Sequence, residues 1–343
     1  MKELRCGRSG NASWCPVKAI PPVVFRQNAG SGRQPLLATR PIVARRRRRR
    51  GSKHDAEDQA LMSNQLSFRI LEDIARDLSG EVVSFPTFLD ITFQVRSALK
   101  NPLLTVDELG RLVAAEPLMS TKVIRLANSA AINRSGRAIV DVRSAIARIG
   151  MEAVRTVSFA VAMEQLLNSK KMAPFQDLSR RLWEHTMHVA ALSRVLARRL
   201  TRVNADEALF AGLVHDIGVF YLLSRAVNFP ELVASPRDLH QLLVQWHDHI
   251  GHALLAAMSL PEELVLVVQE HELDRAVSGV ATLADIVFVA NRLSGVEHGW
   301  RDAAFGELPD ASIACQFFDA DALATLLAES ADDVNSLKAA LGS

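Results

Sequence analysis

Cysteine is scarce in this sequence, and long apolar runs are missing. The three cysteines, Cys6, Cys15 and Cys315, have no spacing typical of a disulfide framework or a zinc site. No uninterrupted apolar run reaches the roughly 18 residues that a membrane-spanning helix needs, and the N-terminus lacks the apolar core of a secretory signal. We therefore expect no membrane span and a location in the reducing cytoplasm.

Motifs for several enzyme classes are also missing. The sequence contains no glycine-rich phosphate-binding loop, no Cys-x-x-Cys pair and no nucleophile motif. Convincing alternation of apolar and polar residues, which would indicate β-strands, is absent as well. Because 49% of the residues are hydrophobic, the chain can still form a substantial core.

The charges are divided unevenly along the chain. Residues 1–60 carry 14 Lys and Arg against 4 Asp and Glu, whereas the remainder carries 26 against 34. Clustered cations are needed for phosphate affinity, so nucleic-acid binding is not expected of the acidic folded part.

The basic segment 1–62 lacks periodicity and is predicted to be a disordered tail. Three interpretations stay open for it: an arm for nucleic acid or anionic membrane, a transit-like segment, or translated sequence upstream of a true start near Met62. In the first of these, the contacts with nucleic acid would come from an unbroken arginine run: Arg45, Arg46, Arg47, Arg48, Arg49 and Arg50.

Helical periodicity begins at Leu66 and predicts about a dozen helices. Thr105 and Glu108 form a capping-box pattern at one helix start. A continuous helix is predicted from Ala205 to Leu223, and a last amphipathic helix between Leu323 and Leu341. We predict an N-terminal helical lobe at 63–170, a second lobe at 171–295 and a C-terminal extension at 296–343.

Nine of the ten histidines lie between residues 185 and 298. The most specific feature is the pair His215-Asp216 near the end of an apolar helix, because an imidazole and a carboxylate side by side can both bind one metal ion. His185, on the preceding long helix, could reach the same interior. A buried His215-Asp216 pair that is satisfied by hydrogen bonds, without an ion, remains the alternative.

Several segments, in order, resemble the HDOD domain, the "HD-related output domain". The resemblance covers about residues 80 to 295. Its motifs are Ser84–Pro86, Asn101-Pro102, Glu116–Leu118, Arg125–Ala130, Ala145–Gly150, Leu182–His185, Ala211–Gly218, His247–Gly251, Leu260-Pro261 and Ala290-Asn291.

This resemblance implies an all-α fold, a two-lobed bundle related to the HD domain, and a role in bacterial signal transduction. The related HD phosphohydrolases bind metal through a His, a His-Asp pair and a later Asp. These positions correspond here to His185, His215, Asp216 and Asn291. His247 matches a position where the family commonly has His, and we expect it to contact the metal ligands without binding the ion itself.

Two departures from the enzymes bear on activity. Asn291 stands where an Asp would supply a second negative charge, so the predicted set offers a divalent cation one carboxylate instead of two. Val219 stands where the cyclic-dinucleotide phosphodiesterases usually have a Lys that faces the substrate phosphate.

We therefore predict a non-catalytic regulatory or output module that binds signalling proteins in trans, or a small-molecule or nucleotide ligand. No cofactor is expected, although Mn, Fe or Zn could bind the predicted ligands. The alternative is a metal-dependent phosphohydrolase that acts on a nucleotide or cyclic dinucleotide.

Overall fold

A computed structural model describes residues 65–77, 90–133, 136–273, 279–295, 300 and 320–342. The arginine run, Met62 and all three cysteines lie outside this part of the chain. The described residues form helices and connecting turns without β-strands, which confirms the all-α prediction.

The helices are numbered in chain order. Helix α1 covers residues 65–77. The others are α2 Asp90–Leu99, α3 Val106–Ala114, α4 Pro117–Asn128, α5 Val142–Ile149, α6 Met151–Leu167, α7 Gln176–Leu200, α8 Ala205–Val214, α9 Ile217–Ala226, α10 Pro230–Ala234, α11 Pro236–Ala257, α12 Glu262–Glu270, α13 Leu283–Leu293 and α14 Ala320–Leu341, with a 3-10 helix at Lys170–Phe175.

Two groups of helices pack together. Helices α2 to α6 form the first group and α7 to α13 the second, with α6 in contact with α7 and α8. Helix α1 lies against the second group, where Asp73 and Asp77 pair with Arg225 of α9 at 2.6 and 2.7 Å. The lobe boundaries proposed from the sequence stay a prediction.

The predicted capping box at the start of α3 is confirmed. The Thr105 hydroxyl accepts a hydrogen bond from the main-chain N–H of Glu108, and the Glu108 carboxylate accepts one from the N–H of Thr105. Asn128 ends α4 and, as a turn residue should, exchanges hydrogen bonds with the main chain of Ile139.

The prediction of one helix from Ala205 to Leu223 is wrong, because the helix breaks at His215 and Asp216. The apolar pattern runs through this break, and the two glycines nearest to it, Gly212 and Gly218, lie inside α8 and α9, so the periodicity does not mark the break. Successive residues of a continuous helix point about 100° apart. The break allows two adjacent side chains to face the same interior.

The segment Ala205–Ala226 has the length and composition of a membrane span, but 89% of its most apolar window is buried inside the protein. Burial of this extent is typical of a core element. Helices α8 and α9 therefore form the interior of the second group, with apolar side chains on nearly every face.

Helix α14 packs against α4 of the first group and α7 of the second. Its last turn is held by Lys122 of α4, which is 1% exposed. The Lys122 ammonium donates hydrogen bonds to the carbonyls of Leu341 and Gly342 at 2.8 and 3.0 Å and pairs with Glu164 at 3.0 Å. A cation at the carbonyl end of a helix is favourable, because it satisfies groups that have no partner within the helix.

Replacing Lys122 by methionine should lower the free energy of unfolding by about 3 kcal/mol, because the Glu164 carboxylate, whose side chain is 15% exposed, and the end of α14 lose their donor. Urea denaturation followed by circular dichroism measures this change. The matched control is Lys100→Met, which alters an exposed lysine. Equal effects of the two substitutions would contradict the role assigned to Lys122.

Candidate metal centre

A cluster of buried imidazole and carboxylate groups lies inside the second helix group. His185 comes from α7, the pair His215-Asp216 from the break between α8 and α9, His247 from α11, and His271 from the end of α12. All five are at most 3% exposed. The sequence predicted a metal role for the first three of these, and the structure brings them together.

The Nε2 atoms of three histidines face two carboxylates, those of Asp216 and Glu272. His215 Nε2 lies 3.3 Å from Asp216 Oδ2, and His271 Nε2 lies 3.3 Å from Asp216 Oδ1. His247 Nε2 lies 3.2 Å from Glu272 Oε2. These contacts have ion-pair distances, but within the described residues the Nε2 atoms of these three histidines have no partner with hydrogen-bond geometry.

The other ring nitrogen of three histidines is fixed by the main chain. His215 Nδ1 lies 2.7 Å from the carbonyl oxygen of Gly212, His247 Nδ1 lies 2.9 Å from that of Leu243, and His271 Nδ1 lies 2.7 Å from that of Val268. A carbonyl only accepts, so Nδ1 must carry the proton. Each neutral imidazole therefore presents the lone pair of Nε2 to the cluster, as metal-binding histidines do.

The charges in this closed space shift the titration of its members. Burial alone would lower the pKa of His215, but the adjacent Asp216 carboxylate outweighs it and raises the pKa. In the same way Glu272 raises the pKa of His247 against the effect of burial. Burial would raise the pKa of Asp216, and His215 and His271 together hold it well below its usual value.

These donors fit a divalent transition-metal ion. Two overlapping sets can each supply three ligand atoms within 4.8 Å of one another: His185, His215 and Asp216, and Asp216, His247 and His271. Both oxygens of Asp216 are buried and lack a hydrogen-bond partner in the described part of the chain. Imidazole nitrogen and carboxylate oxygen are the ligands that Mn, Fe and Zn accept.

The remaining predicted residues have different positions. Asn291 is buried on α13, and its Oδ1 has no hydrogen-bond partner among the described residues. His247 was expected to contact the ligands without binding an ion, but its Nε2 instead faces the cluster. The neighbouring His249 has a side chain that is 68% exposed and takes no part in the cluster.

Sequence reasoning missed His271 and Glu272. His271 follows the last residue of α12, and its place in the cluster was not predicted. A signal was present: His271-Glu272 is a second imidazole-carboxylate pair at a helix end, analogous to His215-Asp216.

Two glycines allow α9 and α11 to approach closely enough to place His247. A Cβ atom on Gly218 would collide with the main-chain carbonyl of His247, and one on Gly251 would lie 2.5 Å from Val268 Cγ1. At Gly218 no side chain fits without moving a helix, because the colliding atoms belong to the main chain of α11. The position of His247 relative to Asp216 thus depends on this contact.

An all-helical fold with a buried histidine-carboxylate cluster of this kind defines a protein of the HD type. The HDOD domain model matches residues 85–273, more than half of the chain, so the chain belongs to the HDOD family. A search of the curated proteins finds no match to it.

Solved structures support the same fold. A Shewanella amazonensis protein provisionally named a metal-dependent phosphohydrolase is 21% identical, with a TM-score of 0.62 over 81% of this chain and 99% of that one. An HDOD domain protein of unknown function from Geobacter sulfurreducens is 20% identical, with a TM-score of 0.53 over 82% and 98%. A Marinobacter aquaeolei protein provisionally named a signal transduction protein is 18% identical, with a TM-score of 0.51 over 80% and 65%.

Gly218→Ala should lower the free energy of unfolding by about 1–3 kcal/mol, because the added methyl group forces α9 and α11 apart. Urea denaturation tests this expectation. The control Gly110→Ala, on a helix surface with no atom near the added Cβ, should raise stability by up to about 1 kcal/mol. A neutral or stabilising Gly218→Ala would show that the close helix contact is not required.

Proposed function

We propose that this protein is a regulatory output module of bacterial signal transduction that acts by binding a partner, and that its second helix group holds a divalent metal ion as part of the fold. The observation that carries this proposal is the burial of the donor cluster. Structural metal sites are closed, whereas catalytic sites keep a position open for water or substrate. His185, His215 and Asp216 are 0% exposed.

The residues around the cluster also favour binding over catalysis. Val219, at the position where the phosphodiesterases usually place a lysine, is fully buried in the apolar core and offers no charge to a phosphate. Asn291 is neutral, so it would contribute less to the affinity for a divalent cation than the carboxylate that the phosphohydrolases have at this position. The partner would be a signalling protein in trans, or a small-molecule or nucleotide ligand.

The second candidate is a metal-dependent phosphohydrolase that acts on a nucleotide or cyclic dinucleotide. The donor cluster itself favours it, since a bound metal ion can activate water, and so does the provisional name of the Shewanella amazonensis protein. Under this alternative His185, His215 and Asp216 would hold the ion, and the second helix group would have to open for substrate.

Elemental analysis of the purified full chain tests whether it holds an ion, and a hydrolysis assay on the same protein separates the two candidates. We expect close to one equivalent of Mn, Fe or Zn, its loss in His215→Ala, and a lower melting temperature after treatment with a chelator, because an ion that binds only the folded state stabilises it. Hydrolysis of bis-p-nitrophenyl phosphate should stay at background. Metal-dependent turnover that disappears in His215→Ala would overturn the regulatory proposal in favour of the enzyme.

Metal affinity should fall as the pH is lowered through neutrality. Protons and the ion compete for the same Nε2 atoms, and the nearby carboxylates raise the pKa of His215 and His247 above the usual value of about 6.5. Competition by protons therefore begins at higher pH than for ordinary histidines. Titration with Zn²⁺ against a chelating dye at several pH values measures this, and an affinity that does not change between about pH 6 and 8 would contradict it.

A further inference from the structure

Helix α14 is attached to the rest of the protein mainly by its last turns. Val334, Leu337, Ala340 and Leu341 are at most 5% exposed. Before Val334, none of the described side chains of α14 is buried. The apolar contacts that hold this helix of 22 residues are therefore concentrated near its C-terminal end.

The donors on α4 bind the main chain of α14. The Lys122 ammonium donates hydrogen bonds to the carbonyl oxygens of Leu341 and Gly342, and the Arg125 guanidinium donates one to that of Ala339. The last carbonyls of every helix lack partners within the helix. These two donors can therefore bind the C-terminal end of any helix whose apolar side chains fit, whatever its other residues are.

Charged side chains on α7 complement those of α14. Asp333 lies 3.3 Å from Arg198, and Lys338 lies 3.9 Å from Glu184. Such partly exposed pairs contribute little affinity, but they favour one orientation of the helix over the reverse. We call the area beneath the last turns of α14 the α14 surface, and define it by Lys122 and Arg125 of α4 and Glu184 and Arg198 of α7.

The covalent connection to α14 is long enough for the helix to leave this surface. Trp300 is the last described residue before α14, and its carbonyl oxygen lies 2.7 Å from His240 Nδ1 of α11. The residues 301–319 that follow could span about 60 Å if they were extended. Helix α14 can thus separate from the α14 surface without any movement of Trp300 or α11.

Removal of α14 would not leave an unpaired charge behind. Lys122 also pairs with Glu164 of α6 at 3.0 Å, and both residues belong to the first helix group. Water would take the place of the α14 carbonyls at Lys122, and the end of another helix would supply carbonyls again. The exchange of one helix for another therefore leaves no buried donor without an acceptor.

We infer that the α14 surface is the docking site for an amphipathic helix of a signalling partner, and that α14 occupies this site until the partner displaces it. The inference rests on the proposed function, in which the module acts by binding a partner, and states where the partner binds. Such a helix would carry apolar side chains at the spacing of Val334, Leu337 and Leu341 and would end with its carbonyls at Lys122 and Arg125. Insertion of the apolar face of a helix into a groove is a common mode of peptide recognition.

Binding of a labelled peptide to the full chain tests the inference. The probe is a synthetic peptide of residues 320–343 with fluorescein at its N-terminus, and fluorescence anisotropy measures its affinity. Leu337→Asp puts a carboxylate at a position that is 0% exposed, so the chain's own α14 should leave the surface. We expect this variant to bind the probe at least about 20-fold more tightly than the unmodified chain, because the apparent affinity falls with the fraction of molecules whose surface is open.

Two further variants and their controls make the test specific. Asp333→Lys, which places like charges together at Arg198 without changing a core position, should increase probe binding by a smaller factor. Ala324→Asp, on the exposed part of α14, should leave it unchanged. In the Leu337→Asp background, Arg125→Met should weaken binding about fivefold through the lost hydrogen bond, and the exposed Arg111→Met should not.

Circular dichroism first establishes that each variant is folded. Equal binding of the probe by the unmodified chain and the Leu337→Asp and Asp333→Lys variants, or binding by none of them, would overturn the inference. So would a dimer of the unmodified chain that Leu337→Asp abolishes, because a second copy would then occupy the surface. Metal-dependent hydrolysis would overturn the proposed function without changing the anisotropy result, so the two failures can be distinguished.

Discussion

The buried carboxylate of Asp216 is the group on which the interior of the second helix group depends. A carboxylate at 0% exposure is costly unless positive charge or donors surround it. The protein meets this requirement with histidines from different helices. His215 precedes Asp216 in the chain, and His271 is brought to it from the end of α12 at 3.3 Å. The packing of α8, α9 and α12 is therefore tied to one negative charge.

Protons and a metal ion are two ways of meeting that same requirement. The nearby carboxylates raise the pKa of His215 and His247 against the effect of burial, and so favour protons on these imidazoles. An ion would replace those protons, and the helices would contact the same groups in either state.

The sequence predicted most of the fold, because apolar periodicity and capping residues act locally. The capping box at Thr105 follows from such short-range chemistry. The break at His215 does not, since the apolar residues on both sides are equally suited to one long helix. For the site, the His-Asp pair indicated the location, but His247 joins it through the approach of α9 and α11 that Gly218 permits, and His271 joins it from the end of α12. Contacts between distant segments leave no periodic trace in one sequence.

Helix α14 touches α4 in the first group and α7 in the second, and the Lys122 ammonium fastens its end. A rotation of one group against the other would therefore break the contacts of α14 with either α4 or α7. If the contacts with α4 break, the buried Lys122 ammonium loses its hydrogen bonds to the carbonyls at the end of α14. Helix α14 therefore opposes a change in the angle between the two helix groups, because such a change costs the free energy of these contacts.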